Sequence, residues 1–425
     1  MVARNRTGLP RVVIVGSGFA GLTLAKLLSE LPLETLILDK NNYHTFQPLL
    51  YQVATGGLEA ENIAYPVRKI FRNHRNVFFR MAEVREVDQL AKLVKTSIGD
   101  IPYDYLVLTV GTDSNYFNFE TVKDRLLPLK SLSDALNLRS FIMSNMERAL
   151  QAGSAEAQSE TINIAIIGGG PTGLEMAGAL AEMKKNVFPQ DFPELDLSRM
   201  NICLFEAGPR LLAGMSNTAS ERALRDLQQM GVVVKTAARV TDYDGHSLHI
   251  EGRQPFPTDT VIWTAGVKPV QVVGFSASHY LKNGRMRVDE FNQVPGSPDI
   301  FALGDFAAMV SEQHPGGHPM LAPVAIQQAR NLATNFQRIL SGDELKAFAF
   351  KDRGTMATIG RHRAVVDLSF FKFHGLLAWW VWMLVHVMSL IGFRNKLFTV
   401  IQWSFSYFNY DKPLGIIIPP LKKEN

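Results

Sequence analysis

The chain has 425 residues, 46% hydrophobic and 20% charged, with a formal net charge of +4 and one cysteine, Cys203. That length allows two or three domains with sizeable cores. Lys and Arg are spread rather than massed, which argues against a nucleic-acid partner and leaves a basic surface for anionic lipid, while a single cysteine excludes internal disulfides and CxxC redox or zinc chemistry.

The polar N-terminus soon becomes a strand, so no secretory signal is expected and the chain reads as cytosolic, in a reducing environment. Residues 11–21 read Arg-Val-Val-Ile-Val-Gly16-Ser-Gly18-Phe-Ala-Gly21. A β-branched run enters a glycine turn, and Leu22, Leu24, Ala25, Leu27 and Leu28 continue with helical spacing. In this G-x-G-x-x-G pattern the first glycine permits the tight turn and the second lets a pyrophosphate approach the backbone. The third lets helix and strand pack closely. The helix N-terminus offers N–H groups and a positive dipole end to phosphate. A second strand, Thr35-Leu-Ile-Leu38, ends in Asp39, placed to hydrogen-bond a ribose.

The loop 41–56 is rich in aromatic, amide and glycine residues and has no metal-ligand spacing; His44 reads as a hydrogen-bonding loop residue. Residues 77–110 alternate apolar and polar as in a β-meander, ending in Tyr105-Leu-Val-Leu-Thr-Val-Gly111. Residues 131–151 have helical periodicity, and the small polar residues 152–160 read as a linker. The opening pattern then recurs. A strand over 162–167 enters Gly168-Gly-Gly170-Pro-Thr-Gly173, a helix opens at Leu174, and a strand over 201–205 ends in Glu206. The gap from Gly168 to Glu206 exceeds the typical ~20 residues, so 184–198 is read as an inserted loop. Two such signatures imply two nucleotide cofactors, or a duplication with one empty site; the first is favoured. Cys203, inside the second strand, reads as a small core residue.

Thr260-Val-Ile-Trp-Thr-Ala-Gly266 parallels the earlier strand into Gly111. A strand from Pro298 ends in Gly304-Asp305, and a carboxylate there lies where ligands bind in open α/β sheets. A helix is expected from Ala322 to about Leu340. Residues 375–393 contain no Asp, Glu, Lys or Arg, and four of the five tryptophans lie between Trp379 and Trp403. As one helix that stretch would reach about 28 Å, just enough to span a bilayer. Basic residues flank both sides (Arg361, Arg363 and Lys372; Arg394 and Lys396), so charge gives no orientation. The stretch 397–408 is too short to span.

With these motifs assembled, the chain resembles the two-dinucleotide-binding-domain flavoproteins and, within them, the type II, non-proton-pumping NADH:quinone oxidoreductases. The resemblance covers nearly the whole chain. It rests on Gly16-Ser-Gly-Phe-Ala-Gly21, Phe46-Gln-Pro-Leu-Leu-Tyr-Gln-Val-Ala54, Gly168-Gly-Gly-Pro-Thr-Gly-Leu-Glu175, Trp263-Thr-Ala-Gly-Val267, Phe301-Ala-Leu-Gly-Asp305, Ala322-Pro-Val-Ala-Ile-Gln-Gln328 and Gly392-Phe-Arg-Asn-Lys396. It implies an α/β fold with two Rossmann-like, glutathione-reductase-like domains, the NAD domain inserted in the FAD domain, and a membrane-associating helical tail. The implied boundaries are 1–115 with 270–345 for FAD, 116–160 as connecting segment and linker, 161–269 for NADH, and 346–425 as membrane-anchoring region.

The resemblance implies that the first unit, with Asp39 and Asp305, holds FAD and that the second holds NADH. The cofactor-binding residues it suggests are Gly16, Gly18, Gly21, Asp39, Lys40, Gln47, Gly111, Gly304, Asp305 and Ala322, and Gly168, Gly170, Gly173, Glu206 and Gly266. Glu206 should repel a 2′-phosphate, with Arg210 near enough in sequence to soften that repulsion. Glu175 and the Ala322–Gln328 segment would lie beside the flavin ring near the quinone. Many members carry Gln where this chain has Pro323, so Gln327 is the better candidate contact. Hydride transfer is cofactor chemistry, but quinone reduction needs two protons, which Glu175 could relay; the plainer reading is a glutamate favoured by the helix dipole.

The implied activity is oxidation of NADH through FAD with two-electron reduction of a membrane quinone, without proton pumping. The implied place is the cytoplasmic face of the inner (plasma) membrane, peripheral or monotopic, on the lipid bilayer surface; a homodimer is compatible with it. For the tail, an interfacial anchor is preferred to a transmembrane helix, and that to a core helix. Two other activities stand beside this reading. A sulfide:quinone oxidoreductase would need redox cysteines, which one Cys203 opposes. A flavoprotein scaffold that senses NADH fits the apolar tail equally well.

Overall fold

The β-branched run Arg11–Val15 is a fully buried strand flanked by two parallel neighbours, as a strand covered on both faces requires. The computed structural model describes residues 7–409 and 416–417. The chain divides into two units, each α/β. One comprises Met1–His44, Tyr65–Asp113 and Val267–Asp352; the other comprises Thr45–Ala64, Ser114–Gly266 and Arg353–Asn425.

In the first unit the sheet runs Gln293–Val294, Ser297–Ala302, Tyr105–Leu108, Arg11–Val15, Glu34–Asp39, Val77–Met81, parallel except for the first short strand. Helices Phe19–Leu28 and Ala322–Ser341 pack together beside it. The expected meander over 77–110 is confined to Val84–Asp88, Leu93–Thr96 and Gly99–Pro102. Val77–Met81 instead forms the parallel edge strand, because Val77 and Phe79 bury their alternate face against the core.

The second unit repeats the plan with strands Leu127–Pro128, Thr260–Trp263, Ile164–Ile167, Ile202–Phe205 and Val233–Lys235, all parallel. Cys203 lies buried in the fourth. Helix Leu132–Ala149 starts at a capping box, Ser131 with Asp134. The expected linker 152–160 is largely helix, Ala155–Ile162. Ser154 Oγ accepts from Ala157 N at 3.1 Å, and Ile162 is buried, so a cap and one core contact outweigh a small, polar composition. The stretch read as an inserted loop begins inside helix Pro171–Asn186 and continues into Phe188–Asp191, held by the buried Met183 and Phe188.

Downstream, Thr355–Gly360, Arg363–Asp367 and Lys372–His374 form an antiparallel sheet whose first strand crosses helix Pro171–Asn186. Gly178 makes that crossing close, because a side chain there would collide with Ile359 O. Two helices follow, Leu376–Ser389 and Phe393–Asn409. The unbroken apolar helix expected over 375–393 ends at Leu390, whose ψ of 149° is extended. The first helix therefore reaches about 21 Å, and no helix among the described residues is long and apolar enough to cross a membrane. Ala378, Trp379 and Trp382 are buried, whereas Leu377, Trp380, Leu384 and Met388 are more than half exposed. The helix is thus core on one side and uncovered on the other. Residues 410–415 and 418–425 of the tail lie outside the described residues.

Gly178→Ala should cost on the order of 2 kcal/mol, because the new methyl has no room between helix and strand. Urea unfolding measures this, and an unchanged midpoint would show that the crossing can widen freely.

Candidate active site

Both glycine turns are closed by the same hydrogen bonds. Asp39 Oδ2 accepts from Ser17 N at 2.6 Å and Ser17 Oγ at 2.7 Å, while Oδ1 accepts from Asn41 N at 2.8 Å. In the second unit Glu206 Oε2 accepts from Gly169 N and Oε1 from Gly208 N, both at 2.6 Å. Each acid thus clamps the residue between the first two glycines of its turn. Each still has lone pairs for a ribose hydroxyl. Gly16 and Gly168 have φ of +101° and +112°, conformations that L side chains rarely adopt. Thr109 Oγ1 donates to Val15 O and Gly16 O, and Thr264 Oγ1 to Ile167 O and Gly168 O. Each threonine lies against the third glycine, where an added Cβ would come within 2.5 Å of Thr109 Oγ1 at Gly21 and 2.8 Å of Thr264 Oγ1 at Gly173. Gly111 and Gly266 follow two residues after these threonines, both with positive φ.

The second glycines, Gly18 and Gly170, are helix N-caps with no side-chain cap, no acid in the first turn, and open space where a Cβ would sit. An uncapped N-terminus beside an open glycine suits a phosphate. His44 completes the first turn from the other side: its Nδ1–H donates to Ser17 O at 2.8 Å, and burial lowers its pKa. Sequence reading missed Thr109 and Thr264 as turn supports, although the repeated Thr-x-Gly at two strand ends carried the signal. Arg210 turns onto its own loop, donating to Ala213 O at 2.7 Å and Met215 O at 2.9 Å. It is therefore committed to carbonyls rather than poised for a 2′-phosphate.

Gly304-Asp305 follows strand Ser297–Ala302, as expected from the sequence, and Gly304 N donates to the buried Gln328 Oε1 at 2.7 Å. Ala322 opens helix Ala322–Ser341. Gln327 uses both ends of its amide on Lys351, donating to its O and accepting from its N, each at 3.0 Å. Lys40 and Gln47 are exposed.

Glu175 lies in helix Pro171–Asn186 and is 8% exposed. Burial pushes its pKa up to about 8, opposed by Thr358 N, which donates at 3.4 Å, and by the indole of Trp382. The Trp382 N–H approaches without reaching hydrogen-bond geometry. Tyr51, also buried, feels the same carboxyl. Trp382 stacks on His386 at 4.1 Å, with Phe46 edge-on to that imidazole at 6.0 Å. Burial brings His386 down to about 4, so it is neutral. The Phe46–Ala54 block, the glycine-turn helix and the tail thus build one apolar shell around a carboxyl that holds its proton at neutral pH. The sequence marked Glu175 and the block, but nothing in it joined either to Trp382.

The folded Glu175 keeps its proton up to about pH 8, where an ordinary glutamate has lost it near 4.5. Its stabilising contribution is therefore full below 4.5 and falls as pH rises through 8. Glu175→Gln should remove that slope: relative to the unaltered protein it should gain stability between pH 5 and pH 8 in urea titrations. Parallel pH profiles for the two proteins would refute the raised pKa.

The sequence profile of the pyridine nucleotide-disulphide oxidoreductases matches residues 10–329, and that of the NDH2 C-terminal domain matches residues 353–409. The type II NADH:quinone oxidoreductase Ndh of Mycobacterium tuberculosis is 32% identical over 414 residues, covering 94% of this chain and 88% of that protein. The type II NADH:quinone oxidoreductase of Staphylococcus aureus is 30% identical over 368 residues, with 84% and 89% covered. Among solved structures, NDH2 from Plasmodium falciparum in complex with NADH superposes with a TM-score of 0.88 at 20% identity, over 95% of this chain and 99% of that one. The pyridine nucleotide-disulphide oxidoreductase match implies FAD/NAD binding. By its identity to these relatives over most of its length, the chain belongs to the type II NADH:quinone oxidoreductases.

Proposed function

We propose that this protein oxidises NADH and reduces a membrane quinone by two electrons at the cytoplasmic membrane face, without moving protons across the bilayer. The observation that carries the reading is Glu175, a carboxyl kept protonated at neutral pH inside an aromatic shell built partly by the apolar tail. Quinone reduction takes up two protons, and a buried acid with a pKa near the working pH is suited to store and release one.

In the first unit Gly16, Gly18, Gly21, Asp39, Gly111, Gly304 and Asp305 would hold FAD. The uncapped helix at Gly18 would receive its pyrophosphate, and Asp39, which holds the turn through Ser17, would accept from a ribose hydroxyl. Gly168, Gly170, Gly173, Glu206 and Gly266 would hold NADH in the same manner. When bound, FAD supplies the two-electron chemistry between nicotinamide and quinone. The side chains bind and orient. Both oxygens of Glu206 are aligned by backbone N–H groups, so its charge stays where the adenosine ribose would lie and disfavours a 2′-phosphate.

The uncovered faces of the two tail helices, with Leu377, Trp380, Leu384, Met388, Phe393 and Ile401 exposed, would rest on lipid. Basic residues adjoin them. Arg394 lies 5.2 Å over the Phe398 ring, and Lys396 Nζ donates to Met388 O at 2.8 Å. These stems keep cationic heads beside an apolar surface, as an interface with anionic headgroups favours.

Steady-state NADH oxidation by purified, yellow, flavin-loaded protein should depend on added quinone. A protein that reduces its flavin once and then stalls with quinone would instead be a scaffold. NADH should be preferred to NADPH, and Glu206→Gln should narrow the ratio of kcat/KM on the order of tenfold by removing a charge from the 2′ position. Equal use of both nucleotides by the unaltered protein would rule out this role for Glu206. The double substitution Trp380→Gln with Leu384→Gln should weaken sedimentation with anionic liposomes at least tenfold while flavin content is kept. Unchanged binding would show that the membrane contact lies elsewhere.

A further inference from the structure

The Phe46–Ala54 block meets the tail through a short polar chain. Trp403 Nε1–H donates to Gln52 Oε1 at 2.6 Å, and Gln52 Nε2–H donates to Tyr51 Oη at 2.8 Å. An indole N–H can only donate, so it determines which end of the amide it meets: Gln52 presents oxygen to Trp403 and nitrogen to Tyr51. The Tyr51 oxygen must then accept, and its own proton is left to donate elsewhere. Tyr51 is 6% exposed, and among the described residues no acceptor meets that proton. Leaving a buried donor unmade costs about 1–3 kcal/mol, so such a group calls for a use.

The surroundings narrow what could fill it. Glu175, the carboxyl that bears on Tyr51, accepts from Thr358 N and makes no hydrogen bond with Tyr51. Trp382, 5.8 Å from the Trp403 ring, continues through the neutral His386 to Phe46, so the side chains around this polar chain are largely aromatic. The missing partner is an acceptor carried on an apolar, planar body. A quinone carbonyl has that chemistry: it accepts only, and its hydrogen bond strengthens as charge develops on the oxygen during reduction.

Resting on the quinone-reducing reading above, we infer that Tyr51 donates a hydrogen bond to a quinone carbonyl, and that Trp403 is a positioning residue that sets this polarity through Gln52. No bond of Tyr51 breaks; the hydroxyl holds the carbonyl while electrons and protons arrive from elsewhere. The tail thereby enters the reaction through one indole N–H as well as through its apolar surface.

The test uses the full-length flavin-loaded protein and a water-soluble short-chain benzoquinone, with the two half-reactions followed separately by rapid mixing. Tyr51→Phe should slow oxidation of the reduced flavin by quinone about five- to tenfold, the worth of one hydrogen bond. Reduction of the flavin by NADH should keep its rate. Gln52→Glu is the sharper probe: an ionised carboxylate accepts from both neighbours, so it should capture the Tyr51 proton and cost as much as Tyr51→Phe with the tyrosine still present. Trp403→Phe frees the amide to turn over and should cost about twofold to threefold, with no further loss when added to Tyr51→Phe. Flavin content and thermal midpoints establish that each variant is folded. A full quinone rate in Tyr51→Phe or in Gln52→Glu, or losses from Tyr51→Phe and Trp403→Phe that simply add, would overturn the proposal. If the unaltered protein is reduced by NADH but passes nothing to quinone, the quinone-reducing reading falls and this inference with it.

Discussion

A carboxylate at the end of a strand, accepting from the peptide N–H between two glycines, is the contact on which each half of this protein depends. The G-x-G-x-x-G turn must reverse the chain within a few residues and leave its helix N-terminus uncapped, which is an unstable arrangement by itself. Asp39 and Glu206 remove that instability with short, charge-assisted hydrogen bonds to Ser17 and Gly169. Thr109 and Thr264 tie the neighbouring strand to the same turns, and the absence of side chains at Gly21 and Gly173 lets them approach. With the turn locked from both sides, the helix dipole can point at a ligand without a capping side chain of its own. The acid is therefore first a structural member, and because each carboxylate oxygen has more than one lone pair it would still be able to accept from a ribose hydroxyl as proposed above.

The second organising fact is that the tail is only partly a surface. Trp382 is 1% exposed, and Asn395 and Thr399 are buried as well. Asn395 Nδ2 donates to Ala64 O at 3.3 Å, and Gln402 Oε1 accepts from Asn62 and from Glu59 N. The same helices leave Leu384 and Met388 uncovered. An apolar helix that is core on one face and bare on the other cannot be removed without opening the unit. That is why substitution on the bare face would separate the proposed lipid contact from folding and deletion would not. It also explains Glu175: the carboxyl is dry, and hence protonated, because the tail and strand Thr355–Gly360 close over it.

Much of this was legible in the sequence, and for a definite reason. Strand, glycine turn, helix and terminal acid are encoded by spacing within a few tens of residues, and both turns fold where the pattern put them. The errors share a cause as well. Residues 152–160 look like a linker by composition, but a Ser154 cap and the burial of Ile162 turn most of the segment into helix. The 375–393 run looks like one long helix by hydropathy, but the backbone becomes extended at Leu390. In both, one local or tertiary contact outweighed an average over the window.

What the sequence determined by itself was the repeated α/β plan, the positions of the two acids and the apolar character of the tail, because each is written in short-range periodicity. What only the tertiary structure decided was which groups meet across long separations. Trp403 finds Gln52, Trp382 approaches Glu175, Arg210 folds back onto its own loop, and Gln327 spends its amide on Lys351. Hydrogen-bond direction and desolvation depend on what lies opposite a side chain in space. A residue's neighbours along the chain do not specify that, so the raised pKa of Glu175 and the accepting role of the Tyr51 oxygen exist only in the folded protein.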